Sequence, residues 1–224
     1  MSRGTLDVSI VNSFRQEFEW RCLSLLVDAY TFVNSSNSVN IDCEEEYVSA
    51  VLFDYIDNCR QAIAWKIDIT PEYRLYKDNV LRKLRSAKEA PRIDLRLSGW
   101  TANAKLTYFV EAKNLIEVDS CKSKRKSKIS AKNLHIRYIE TGMDNYLSGK
   151  YPPNGCLIGY ILQGKAEHIV SMLNTCLSHS NRKSEVLQPQ ALDLKNFNAY
   201  YISFHNNFPF IKHLMFDFAE KSTD

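Results

Sequence analysis

The sequence lacks the features that would place it in a membrane or secretory class. No apolar run approaches the roughly 20 residues needed to cross a bilayer, and no basic-then-apolar signal segment opens the chain. Internal repeats and low-complexity segments are also missing. We therefore expect a cytoplasmic protein that has no membrane-spanning segment.

The six cysteines include no C-x-x-C pair. Several of them lie in periodic apolar segments, where a thiol packs as a small hydrophobic group. This spacing argues against a zinc site and favours a reducing compartment.

The excess of charge is small, with 29 Lys and Arg against 26 Asp and Glu, a net charge of +3. Such an excess does not by itself indicate a nucleic-acid-binding protein. The 224 residues, 45% of them hydrophobic, are enough to bury one substantial core. We expect a folded protein with a single domain over residues 1–224.

Apolar residues alternate between helical and strand spacing along the chain. A helical stripe runs from Val8 to Val33, and a second runs from Asp42, as N-cap, to about Trp65. The other predicted elements are a short strand in "WKIDIT", a weak helix over 72–90, a hairpin from "RIDLRL" to "KLTYFVEAK", a helix over 133–149, a buried strand in "CLIGYILQG", a helix over about 165–177, and closing strands in "NAYYISFH" and "IKHLMFDFA". This interleaving predicts an α/β fold with a central mixed sheet flanked by helices.

The hairpin carries charge within apolar strands. Alternation places Asp94 on the face opposite Ile93 and Leu95, and Glu111 and Lys113 follow the apolar run "LTYFV". Charges on strands are most often solvated and then contribute about 0–1 kcal/mol. An unpaired charge at the end of a buried run would be costly, however, so the position favours a functional site.

Ile93-Asp94, then sixteen intervening residues and Glu111-Ala112-Lys113, resembles the motif of the PD-(D/E)XK nuclease superfamily, the restriction-endonuclease-like enzymes. Ile93 replaces the proline of that motif, a residue that is often absent in the superfamily. The resemblance implies a nuclease-like core over 41–164, an N-terminal helical extension over 1–40, and a C-terminal helix with closing strands over 165–224.

The resemblance also implies a metal-dependent site. Asp94 and Glu111 would hold Mg²⁺, or Mn²⁺ as a substitute, because hard carboxylate oxygens suit these ions. Lys113 shares the strand face of Glu111 and would stabilise the attacking nucleophile. A carboxylate on the second helix would complete the catalytic set. Glu45 shares the apolar stripe of that helix, and Glu44 is the alternative.

A basic segment, residues 122–132, follows the hairpin and holds six Lys and Arg without an acid. The residues that we expect to contact nucleic acid are Lys122, Lys124, Arg125, Lys126, Lys128, Arg137 and His205. The alternative for the segment is a solvated loop, and for His205 a hydrogen-bonded core residue.

Taken together, these patterns predict a Mg²⁺-dependent endonuclease that hydrolyses DNA, and the resemblance implies a role in antiviral defence against foreign DNA. The alternative function is a non-catalytic or partner-dependent nucleic-acid-binding subunit of the same fold. Cutting a duplex needs two sites, so a homodimer is one expectation, and a partner ATPase or defence subunit is the other. The choice between DNA and RNA stays open at this level.

Overall fold

A computed structural model describes residues 8–76, 86, 88, 90–101, 104–123, 127–194 and 197–219. Its helices are α1 (Val8–Ser35), α2 (Glu45–Asp57), α3 (Arg60–Trp65), α4 (Ala131–Arg137), a π-helical turn (Tyr138–Met143), α5 (Asp144–Leu147), α6 (Ala166–His179) and a 3₁₀ turn (Lys183–Glu185). Its strands are β1 (Ile67–Arg74), β2 (Arg92–Trp100), β3 (Lys105–Ile116), β4 (Ser120–Cys121), β5 (Lys128–Ile129), β6 (Gly155–Gln163), β7 (Gln188–Pro189), β8 (Tyr200–His205) and β9 (Phe208–Asp217).

Seven strands form one mixed sheet in the order β1-β2-β3-β6-β9-β8-β7. The three central strands, β3, β6 and β9, are parallel, and the strands on either side of them are antiparallel. β4 and β5 pair separately as a small arm, which we call the β4–β5 arm. The prediction of an α/β fold with a central mixed sheet flanked by helices is confirmed.

Strand β3 divides the core because its side chains alternate between two hydrophobic clusters. Val110 and Ala112 pack in the cluster that contains α1 and α2. Phe109 and Leu115 pack in the cluster formed with the π-helical turn, α5 and α6. Glu111 and Lys113 share the second face, so the sheet carries two charged residues between apolar ones.

The predicted hairpin is confirmed, since β2 and β3 are antiparallel neighbours. The pairing ends at Leu95 and Val110. Beyond this point the Asp94 carboxylate accepts a hydrogen bond from the backbone N–H of Ala112 at 2.6 Å. An acidic side chain therefore provides the acceptor where the regular ladder stops.

Helix α1 was expected as an extension of the core, but it lies within the core. Cys22, Leu25 and Leu26 are fully buried in the cluster that α1 forms with α2 and the sheet. The apolar stripe predicted for this helix also includes Phe14 and Phe32, but these two side chains are each 58% exposed.

The second predicted helix begins later than expected and is interrupted. Its N-cap is Glu44 and not Asp42, whose carboxylate instead accepts a hydrogen bond from the N–H of Ser123 at 2.6 Å. The chain leaves the helix after Asp57 and starts α3 at Arg60.

The weak helix over 72–90 is wrong at its start. β1 continues through Pro71 to Arg74. Pro71 is tolerated there because β1 is the edge strand of the sheet. Most of the remainder of that prediction falls outside the described residues.

The helix predicted over 133–149 is three consecutive pieces, α4, the π-helical turn and α5. The spacing predicts Leu134, Tyr138, Met143 and Tyr146 as buried points; the last three are buried, whereas Leu134 is only partly buried. The step of five residues from Tyr138 to Met143 is too long for an α-helical turn, and a π turn accommodates it. No helix in the described part of the chain is long and apolar enough to span a membrane.

Candidate active site

The structure brings Asp94, Glu111 and Lys113 together, with Glu45 beside them. Extending the β2–β3 register by one residue places Asp94 opposite Glu111, and the two carboxyl groups interact electrostatically. The Lys113 Nζ lies 2.5 Å from Glu111 Oε1 and 3.6 Å from Glu45 Oε2. We call these four residues the acidic cluster.

Two members of the acidic cluster are almost completely buried. Glu111 is 4% exposed and Lys113 is 6% exposed. Lys113 also donates to the backbone oxygen of Ala112 at 2.7 Å. Burying a charged pair is costly unless each member has close partners. Here the lysine holds together acids from two different elements of the fold.

Glu45 and not Glu44 reaches the acidic cluster. Glu45 is the first residue of α2, and its carboxylate accepts the N–H of Asn114 at 3.3 Å. Glu44 points to the solvent side, where its side chain is 54% exposed and pairs with Lys122 at 2.6 Å. Glu44 is the N-cap and has an extended backbone, whereas Glu45 is the first helical residue, so their side chains leave the chain in different directions.

Burial changes the ionisation of the acidic cluster. Burial, and after it the charge of Asp94, raises the pKa of Glu111 to about 8. Burial also raises the pKa of Asp94 to about 6, although the charge of Lys113 opposes this. For Lys113, burial lowers the pKa, but Glu111, Glu45 and Asp94 outweigh it, so the pKa is raised. The ammonium therefore keeps its proton while the acids ionise less readily than usual.

Tyr151 also belongs to this site, and the sequence did not indicate it. It lies in the loop "YPPNG", is 5% exposed, and makes a side-chain hydrogen bond with Glu111. Its ring packs edge-on against Tyr146, at 5.5 Å between centroids. A tyrosine in a loop has no periodicity to mark it, so no sequence signal could have found this contact.

A cleft of about 280 Å³ adjoins the acidic cluster. It lies between the start of α2, the carboxyl ends of β3 and β6, the β4–β5 arm and α4. Glu45 lines the cleft and so connects it to the cluster. We call it the α2–α4 cleft.

Three of the predicted nucleic-acid contacts lie around this cleft or on the arm beside it. Lys122 lines the cleft and pairs with Glu44. Arg137 lines it and approaches Glu45 at 3.3 Å, with half of its side chain exposed. Lys128 is exposed on β5. Lys124, Arg125 and Lys126 lie outside the described residues.

His205 lies apart from the acidic cluster. It is on β8, three strands from β3 in the sheet, and its side chain is 3% exposed. Its ring nitrogens bond Glu185 Oε2 and Ser203 Oγ, each at 2.8 Å. Its surroundings match the alternative of a hydrogen-bonded core residue, because a buried and fully bonded imidazole cannot reach a phosphate.

The described residues contain no group of three or more His, Cys, Asp or Glu arranged to hold a metal ion. Mg²⁺ does not need such a group, because it is commonly held by one or two carboxylates together with water and substrate phosphates. Asp94 and Glu111 supply two hard oxygen donors whose raised pKa values reflect negative charge in a buried place. This donor set fits Mg²⁺ and does not fit a metal that requires a complete protein cage.

Comparisons with known proteins identify no relative. No family model matches the chain, and neither a curated protein nor a solved structure matches it.

Proposed function

We propose that this protein is a metal-dependent nuclease of the restriction-endonuclease-like fold that hydrolyses DNA phosphodiester bonds. The observation that carries the proposal is the convergence of Asp94, Glu111, Lys113 and Glu45 at the end of the β2–β3 ladder. A buried acid and a buried lysine with two further, partly buried acids beside them are expensive for stability, so this arrangement indicates a functional site. The role in defence against foreign DNA rests on the motif resemblance alone.

Asp94 and Glu111 are the proposed ligands of Mg²⁺, with Mn²⁺ as a substitute. The ion would supply charge neutralisation at the phosphate and a lower pKa for a nucleophilic water. Asp94 is oriented by the N–H of Ala112, and Glu111 by Tyr151. Both oxygens are therefore positioned by neighbours on the chain before any ligand arrives.

Lys113 is proposed to act as a hydrogen-bond donor and positive charge, and not as a base. Its acidic neighbours raise its pKa, so it stays protonated at neutral pH. Its ammonium already lies within bonding distance of Glu111, so it is placed to stabilise negative charge that develops beside that carboxylate.

The direct test is cleavage of plasmid and single-stranded DNA by the purified chain, with Mg²⁺, with Mn²⁺ and with EDTA. We expect nicks or cuts that depend on the divalent ion. An absence of cutting under all three conditions, alone and with candidate partner proteins, would reject the nuclease proposal.

The second candidate is a nucleic-acid-binding subunit of the same fold, which acts with a partner. The specific observation in its favour is the ion-pair chain Arg137–Glu45–Lys113–Glu111, which satisfies the cluster's charges within the protein. Under this alternative, wild-type protein and the Asp94→Ala variant bind DNA equally and neither cuts it.

A further inference from the structure

The α2–α4 cleft has a mixed lining, and the ion-pair chain does not account for its aliphatic part. Five aliphatic side chains line it: Ile41, Ile116, Ile129, Leu134 and Leu162. Polar side chains complete the lining: Glu44, Glu45, Glu46, Asn114, Lys122 and Arg137. Small-ligand sites combine apolar surface with convergent polar groups, and both are present here.

Asn114 contributes an unpaired acceptor at this cleft. It is 8% exposed, and its Nδ2 donates to the backbone oxygen of Cys43 at 3.0 Å. Its Oδ1 is buried and has no hydrogen-bond partner among the described residues. A buried acceptor without a donor is costly, so a ligand that brings an N–H group to it would be favoured.

The position of the cleft also points to a ligand. It lies at the carboxyl ends of β3 and β6, two adjacent parallel strands in the centre of the sheet. Open α/β sheets bind ligands outside the carboxyl ends of their parallel strands. Its volume of about 280 Å³ suits one nucleotide-sized group and is too small for a base pair.

Two cations on the cleft are available to a phosphate. Lys122 pairs with Glu44 and Arg137 with Glu45; in each pair one side chain is about half exposed and the other is mostly buried. Ion pairs with solvent-exposed members are weak, so a phosphate can replace the glutamates. The guanidinium of Arg137 matches a phosphate in a bidentate geometry.

We infer that the α2–α4 cleft holds one unpaired nucleotide of the DNA substrate, adjacent to the bond that the acidic cluster cuts. This inference rests on the proposed nuclease function and names its substrate class: single strands, flaps or frayed ends in preference to uninterrupted duplex. The base packs on the aliphatic side chains, a base N–H donates to Asn114 Oδ1, and the phosphate contacts Arg137 and Lys122.

The first experiment measures binding without metal, in EDTA and at one fixed salt concentration. A single-stranded oligonucleotide is compared with the blunt duplex of the same sequence. We expect the single strand to bind at least ~10-fold more tightly, since an unpaired base is free to leave the stack. Equal affinities, or a preference for the duplex, would overturn the inference.

A cleft-filling variant, Ile129→Trp, tests the location. It places a large ring in the cleft without altering the acidic cluster, and we expect it to abolish the preference for single strands. Met172→Trp on α6 is the matched control, because it adds the same ring at a partly exposed position that does not line the cleft. A preference that survives Ile129→Trp unchanged, in protein that melts cooperatively, would contradict the proposed site.

If the variant does not fold, a measurement on the wild-type protein still tests the inference. Deoxyadenosine monophosphate, whose N6 amine is a donor, should shift the side-chain amide NMR signal of Asn114. No change in that signal at saturating nucleotide would overturn the inference. Binding of this kind without cleavage of any DNA would reject the nuclease proposal and retain the nucleotide site. Equal cleavage of duplex and single strand, with no effect of Ile129→Trp, would reject the nucleotide site and retain the nuclease proposal.

Discussion

Two buried polar networks lie on this sheet, and they differ in charge and in access to a cleft. The acidic cluster holds two carboxyl groups with raised pKa values around one lysine. The other, which we call the histidine network, runs from the Tyr138 hydroxyl through His213, Ser203 and His205 to Glu185. Its four links are 2.8–2.9 Å long.

The histidine network contains the residue types of a catalytic triad without its function. Glu185, His205 and Ser203 are linked in the order that activates a serine nucleophile. Ser203 is 0% exposed, however, and its hydroxyl is shared between two histidines. A substrate carbonyl cannot reach it, so these bonds stabilise the packing of β8, β9 and the π-helical turn.

The comparison shows that residue type and hydrogen-bond order are poor guides to a site. The histidine network keeps its imidazoles neutral, since burial lowers the pKa of His213 to about 3. The acidic cluster retains charge, borders a cleft through Glu45, and costs stability. Charged groups beside accessible space distinguish the functional candidate from the structural network.

The largest expected effect is the loss of cleavage when a proposed metal ligand is removed. Glu111→Gln or Asp94→Asn should lower the cleavage rate by ~10³-fold or more, equivalent to about 4 kcal/mol of the barrier, because the metal loses a carboxylate. Gel assays of plasmid cleavage with Mg²⁺ measure it. The matched control is Glu185→Gln in the histidine network, which should cut at the wild-type rate per folded molecule. Cleavage by Glu111→Gln at the wild-type rate would reject the assignment of Glu111 as a metal ligand.

Lys113→Ala should slow the chemical step by ~10²–10³-fold and leave metal binding largely intact, because its proposed role is to stabilise developing charge. Single-turnover cleavage measures the rate of the chemical step, and calorimetric titration with Mn²⁺ measures metal affinity. An equal loss of both would mean that Lys113 only supports the folded arrangement of the acids.

In the histidine network the expected effect is on stability. His213→Ala should lower the free energy of unfolding by about 2–4 kcal/mol, because it opens a cavity, removes the His213 partner of the Tyr138 hydroxyl, and leaves Ser203 bonded to His205 alone. Urea denaturation measures this change. Cleavage by the folded variant should stay at the wild-type rate, and a specific loss of activity would show that the two networks are coupled.

The two networks should also have opposite pH dependence. The pKa of Glu111 rises from 4.5 to about 8 on folding, so its stabilising contribution is complete below pH 4.5 and is lost as pH rises through 8. The pKa of His213 falls from 6.5 to about 3, so its contribution is present above 6.5 and is lost as pH falls through 3. Lys113, with a raised pKa, stays charged over this range.

The window from pH 6.5 to 8 therefore isolates Glu111 from His213. We expect the free energy of unfolding to fall there by at most about 1.4 kcal/mol per pH unit. Glu111→Gln should flatten this slope, whereas Glu140→Gln, at an exposed position, should not. A slope that survives Glu111→Gln would mean that another group titrates.

The smallest expected effect concerns the basic segment. Replacing Lys124, Arg125 and Lys126 with Ala should weaken the dependence of DNA affinity on salt. The slope of log affinity against log salt concentration should become less negative by about 0.9 for each phosphate that the segment no longer neutralises. Fluorescence anisotropy at several salt concentrations measures the slope. The control replaces three exposed lysines elsewhere, Lys88, Lys150 and Lys183. Equal slopes for both variants would mean that the segment is a solvated loop.

The local sequence pattern was sufficient to predict the hairpin and the strand face that Glu111 and Lys113 share. Alternation has a period of two in any strand, so Glu111 and Lys113 had to lie on one face once β3 was recognised. The buried strand β6 was also predictable, because a continuous apolar run between two glycines is typical of a strand covered on both sides. The start of α2 was not, since three successive glutamates offer three possible first turns.

By itself, then, the sequence determined the β2–β3 hairpin, the buried strand β6 and the shared face of Glu111 and Lys113, because these depend on short-range periodicity and on a local turn. Only the tertiary structure decided which glutamate joins the cluster, that Arg137 approaches Glu45 from 92 positions away, and that Asn114 Oδ1 lacks a donor among the described residues. These contacts join distant segments, and which atoms meet depends on how helices pack on the sheet. A rotation of α2 by one residue, about 100° around its axis, would turn Glu45 away from the acidic cluster.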